Sequence, residues 1–189
     1  MSEVPALIEA MDSALYSQSI PLALAVQWEE EGPAAWASCE DPRPLLRVLH
    51  YADARLSGRV AAACARTVLS RLGADDQAIA GRAIAAADAW GRGETDGSSC
   101  HAEGRAATKR AHELAQSDAS GACALYAAAH AAYVAHASIG NARSGAADHA
   151  GLAAQVAVSA AYDTEPDASA LRVLADLVRS MTGCPTPRV

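Results

Sequence analysis

Phenylalanine is absent from this chain, lysine occurs once, at Lys109, and aromatic residues make up 4% of the whole. The first and last of these exclude a core built from layers of stacked rings. The scarcity of lysine, with a formal net charge of −7, excludes the clustered Lys/Arg surface that tracks phosphates. Direct nucleic-acid binding is therefore not expected. No Cys-x-x-Cys pair occurs among Cys39, Cys64, Cys100, Cys123 and Cys184. An odd count at wide spacing argues against a disulfide framework and a zinc site, leaving reduced thiols that act as small buried hydrophobes. The opening Met1-Ser2-Glu3-Val4-Pro5 is acidic and lacks the apolar segment of a secretory leader, so a cytoplasmic protein is expected.

What is present in quantity is alanine, at 49 of 189 positions. Alanine is the strongest helix former and β-branched residues are sparse, so local preference favours helix almost throughout. The expectation is all-α: one compact bundle of about eight Ala-rich helices in irregular or solenoid-like packing. Such a core must rely on close backbone approach, with small residues between a few large anchors. The length suits a single domain over residues 1–189. The stretch from Ala119 to Ala142 is free of formal charge and long enough to span a bilayer. It is mostly alanine, however, and carries His130 and His136, so a buried helix of a soluble protein is expected, with no membrane partner.

Punctuation marks the segments. Pro5 to Tyr16 reads as a helix, and Pro21 opens a second that runs to Glu29–Glu31 and stops at Gly32-Pro33, followed by a turn of helix around Trp36. Asp41 is a candidate N-cap for a helix from Pro42 or Pro44 to about Leu56. Ser57-Gly58 then starts Arg59–Leu72, with Gly73 as its C-terminal glycine. Asp75 caps a helix bearing Ile79, Ala83, Ala86 and Trp90. The polar run 91–99 is either a loop or a border between two helical halves. Four helices follow over about 101–116, 120–138, 146–162 and 167–181, the last with Thr164 as N-cap and Glu165 and Asp167 nearby. The tail 183–189, with Pro185 and Pro187, is expected to be loose.

Chemical motifs are incomplete. His112-Glu113-Leu114-Ala115-Gln116 places glutamine where H-E-x-x-H needs its second histidine ligand. Glu-x-x-His is missing, which removes a ferritin-like di-iron centre. Gly91-x-Gly93 lacks a third glycine and a preceding strand, so no phosphate cradle is indicated. No catalytic, cofactor or metal residues are assigned. His130 shares a helical face with Tyr126 and Tyr133, and His136 points elsewhere. These residues either pack between helices with their polar tips bonded or line a pocket together with His112 and His149.

Charge is unevenly placed. Residues 28–41 hold Glu29, Glu30, Glu31, Glu40 and Asp41 without a base, and residues 42–73 hold six arginines against Asp53. Trp28 and Trp36 flank the glutamates. Acid patches steer basic partners and tryptophan is a common interface anchor, so Trp28, Glu29, Glu30, Glu31, Trp36, Glu40 and Asp41 are the candidate partner-binding residues. Carboxylates at the end of a helix would also oppose its dipole. Equally, both indoles could be core anchors and the acids could pair with the arginines that follow.

The run Trp36-x-x-Cys39-x-Asp41-Pro42-Arg43-x-Leu45-Leu46, the stretch Ala61–Arg66 and the stretch Ala85–Gly93, followed by Ala/Tyr/His-rich helices, resemble a bacterial family of immunity proteins from polymorphic toxin systems. The resemblance covers roughly residues 28–180. It implies a cytosolic helical protein that binds and neutralises a cognate toxin without catalysis or cofactor. The acidity of the chain suits a basic toxin domain. Two other readings stay open: a helical enzyme or ligand-binding bundle with a His/Tyr-lined pocket, and a homo-oligomer joined through Ala-rich faces.

Overall fold

Alanine's preference for helix is realised along nearly the whole chain. The computed structural model describes residues 6–17, 19–139, 143–162 and 168–186. Among these described residues there are nine α-helices, one 3₁₀ turn and no strand. They are α1 (Ala6–Tyr16), α2 (Leu22–Ser38), α3 (Pro42–Ala52), α4 (Ala54–Arg66), α5 (Ala74–Gly91), α6 (Ser98–Leu114), α7 (Ala119–Ile139), α8 (Arg143–Tyr162) and α9 (Ala168–Met181), with the 3₁₀ turn at Leu69–Arg71. Thr164, Glu165 and Asp167, read as the start of the last helix, lie outside the described residues.

The centre is α7, which packs against α4, α5, α6 and α8. Between Ala122 and Ala135 every residue is buried except Cys123, Tyr126, His130 and Tyr133, which are partly so. Those four recur at intervals of three and four, so they form one stripe of an otherwise enclosed helix. No described helix is long and apolar enough to cross a membrane. A second centre is α3, whose Leu45, Leu46, Val48 and Leu49 are fully buried where α1, α4, α8 and α9 converge on it. The polar run after Gly91 joins α5 to α6, which pack on each other and both on α7.

Asp41 caps α3 as expected, its Oδ1 accepting the Arg43 N–H at 2.9 Å. Several boundaries differ from the sequence reading, for identifiable reasons. The break after α3 falls at Asp53, whose extended backbone ends one helix while its side chain accepts the Leu56 N–H at 2.9 Å to start the next. Ser57-Gly58, read as the breaker, sits inside α4 because Gly58 is where Trp90 lies. A Cβ on Gly58 would stand 2.7 Å from the Trp90 ring. Arg55 completes that junction, donating to the Trp90 carbonyl at 2.7 Å with its guanidinium over the indole. Helix α4 ends at Arg66, short of Leu72, and Gly73 rather than Asp75 occupies the N-cap of α5, with Asp75 and Asp76 in its first turn.

The largest departure is α2, which continues through Gly32-Pro33 to Ser38. Pro33 cannot donate to the ladder, which ordinarily ends a helix. Continuation places Trp28, Gly32 and Trp36 at successive turns of one buried face, with the glycine tucked under the Trp28 ring. Burying two indoles outweighs one lost backbone bond. The Trp28 Nε1–H donates to the Pro185 carbonyl at 3.0 Å, which ties that residue of the tail to α2.

The ring-on-glycine contact yields a stability test. Gly58→Ala forces the Trp90 ring off α4 and should cost about 1–3 kcal/mol by urea denaturation. Gly81→Ala, also within a helix but with no atom within 4 Å of the new Cβ, should instead stabilise by about 0.5–1 kcal/mol.

Candidate functional site

The acidic stretch divides into three environments. Trp28 and Trp36 are 4% and 3% exposed, so both indoles are committed to the chain's own core. Asp41 is buried, holds the guanidinium of Arg43 and caps α3, while Glu40 pairs with Arg172 of α9. Glu29, Glu30 and Glu31 remain exposed, the last accepting from the Gln27 side chain at 2.9 Å. Because α2 runs on to Ser38, these three lie mid-helix, and the conflict with the helix dipole does not arise. Glu29 and Glu30 share their side of α2 with Leu22 and Val26, which are 81% and 47% exposed, while Glu31 lies round the helix beside Gln27.

A second constellation joins α6, α7 and α8 and gathers five of the six histidines. His130 and His149 meet Nδ1 to Nδ1 at 3.0 Å, and the His101 and His136 rings stack with centroids 4.1 Å apart. Tyr133 lies among them, its ring centroid 5.3 Å from that of His149 and its hydroxyl 3.1 Å from Thr108 Oγ1. Gly104 admits that ring against α6, since a Cβ there would stand 2.8 Å from it. His112 meets Tyr126 edge to face at 5.5 Å. The partly exposed stripe of α7 thus supplies Tyr126, His130 and Tyr133 to one neighbourhood.

Beside it an open groove of about 750 Å³ runs along α6, lined by Arg105, Thr108, Lys109, His112, Glu113 and Tyr133. Among the described residues no three ligating side chains are placed to hold a metal ion. The H-E-x-x-H near-match is also broken structurally. Helix α6 ends at Leu114, so Gln116 lies past it, and Glu113 turns to Arg110 at 3.2 Å. Sequence reading did not single out His101, Arg105, Thr108 or Lys109. Yet His101, Arg105, Thr108 and His112 follow one another at intervals of four, three and four, a one-sided stripe legible in the sequence.

Two Nδ1 atoms at hydrogen-bond distance hold one proton between them, so His130 and His149 cannot both be protonated at these nitrogens at once. Burial first, and His149 second, pull His130 down from an ordinary 6.5 to about 4. Burial lowers His149 as well, with Asp148 opposing and His136 reinforcing.

No family model, curated protein or solved structure matches this chain.

The histidine pair makes stability pH-dependent. The unfolded imidazole takes a proton below about 6.5, the folded one only below about 4. In that window the unfolded state holds more protons, so the contribution of His130 is complete above the window. It shrinks as pH falls and levels off below it, by at most about 3 kcal/mol. Asp12 acts in the opposite sense, because burial outweighs Arg47 and lifts its carboxyl above the usual range. Comparing variants cancels that term. Urea denaturation of the His130→Phe variant should show a shallower loss of stability between those pH values than the parent. Equal slopes would place the acid sensitivity elsewhere.

Proposed function

We propose that this chain is a non-catalytic binding protein that neutralises a basic toxin domain in the cytoplasm, meeting it through the outer face of α2. The observation that carries the reading is the stripe Leu22, Val26 and Glu29–Glu30, which recurs at intervals of three and four and is exposed throughout. Burying Leu22 and Val26 against a partner supplies apolar area, at about 25 cal/mol per Å² removed from water. The three glutamates steer a basic partner into register. Among the described residues no cation pairs with them, unlike Glu40 and Asp41. Trp28 and Trp36 serve this face from behind, by fixing the pitch of α2 across Pro33. The likeness of the sequence to immunity proteins of toxin systems supports the same reading, as does the net charge of −7.

Co-expression with a basic toxin domain encoded beside the chain's gene tests the proposal. The parent chain should restore growth and form a complex that survives size-exclusion chromatography. Reversing Glu29, Glu30 and Glu31 to lysine should slow association about tenfold or more at low salt. Because exposed charges contribute little to folding, the melting temperature should hardly move. Leu22→Ser with Val26→Ser should instead accelerate dissociation. Full protection by both variants, or the absence of a toxin gene beside this one, would overturn the reading.

A further inference from the structure

We propose that the groove along α6 binds a small aromatic anion, a molecule with a ring body and a carboxylate or phosphate head. The proposal is independent of partner binding at α2 and rests on four features of the groove. Arg105 and Lys109 stand one helical turn apart on the same side of α6, and neither forms an ion pair with a described carboxylate. Among the described residues eight arginines have such partners: Arg43, Arg47, Arg66, Arg82, Arg92, Arg110, Arg172 and Arg179 each hold an aspartate or glutamate. The acid that lines the groove, Glu113, is occupied by Arg110, which Asp76 holds from α5 at 2.6 Å. The local field is thus positive although the chain as a whole is negative.

Ala106, Thr108 and the Tyr133 ring complete the lining, with Tyr133 on the side toward the core. That ring is fixed by Gly104 beneath it and by the Thr108 hydroxyl at its tip. His112, braced by Tyr126, gives a second ring at the rim. Two unpaired cations select an anion. A rigid aromatic floor selects a planar body, through offset or edge contacts. A volume of about 750 Å³ lies within the usual range for small-molecule sites, roughly 300–1,000 Å³.

Titration with 1-naphthyl phosphate and with 1-naphthoate, followed by NMR of the His112 ring and the Tyr133 side chain, tests this. At least one anion should shift both sets of signals saturably, and which one binds tighter identifies the head group. Uncharged 1-naphthol and inorganic phosphate should each bind about tenfold more weakly or worse, since each lacks half the recognition. Arg105→Gln with Lys109→Gln keeps good helix formers at exposed positions and should weaken the better ligand about tenfold or more. Arg59→Gln, an exposed change on α4, should leave it unchanged. No saturable shift from either naphthyl anion, or equal binding by the double variant, would overturn the proposal. So would binding of naphthol as tight as that of the anions.

Discussion

The rings of Trp90, Tyr133 and Trp28 each lie against a glycine, Gly58, Gly104 and Gly32 respectively, and the packing of the protein depends on that fit. A chain without phenylalanine must bring alanine-faced helices close together, and at such separations a large ring fits only where a neighbour has no Cβ. Glycine in a helix costs about 0.5–1 kcal/mol relative to alanine, which the buried indole or phenol more than offsets. Trp90 over Gly58 fixes α5 on α4, Tyr133 over Gly104 fixes α7 on α6, and Trp28 over Gly32 sets the face that α2 turns inward. The groove and the exposed stripe are both by-products of this arrangement. Tyr133 is rigid because Gly104 admits it, and Leu22 and Val26 are exposed on the same helix that buries Trp28 and Trp36.

The same contacts explain what could and could not be read from the residues. Helix class was legible, since alanine content and apolar stripes act locally. Asp41 as the cap of α3 was legible for the same reason: the cap and its N–H are two residues apart. Gly58 and Gly32 were misread as breakers because the ring that justifies each glycine is not marked in the local sequence. Trp90 lies more than thirty residues from Gly58, and the pairing of Trp28 with Gly32 shows only once the helix is known to continue. Asp53 was passed over because Ser57-Gly58 looked the stronger stop.

Site residues follow a similar division. The acidic run was visible, but its partition was not, because Glu40 meets Arg172 across more than a hundred residues. With α2 unbroken, the argument from a misplaced dipole falls away, and exposure alone now distinguishes Glu29–Glu31. On α6 the stripe of His101, Arg105, Thr108 and His112 is as periodic as any apolar face, but its residue types match no metal or catalytic spacing. The pairing of His130 with His149 depends on the crossing of α7 and α8, which no local pattern encodes.

The alanine-lined α7 also has a mechanical consequence. A core of leucine or methionine absorbs a disturbance by switching rotamers, but alanine has none to switch. Most of the surface of α7 therefore cannot repack. A push delivered on the α6 side, at Tyr133, has to be taken up as a shift of the whole helix. The same displacement then reaches the α4 and α5 side, where Val134 stands 3.8 Å from the position a Cβ on Gly58 would occupy, beneath Trp90. In this protein the groove and the ring-on-glycine joint meet two faces of one stiff rod about 100° apart, through the consecutive residues Tyr133 and Val134.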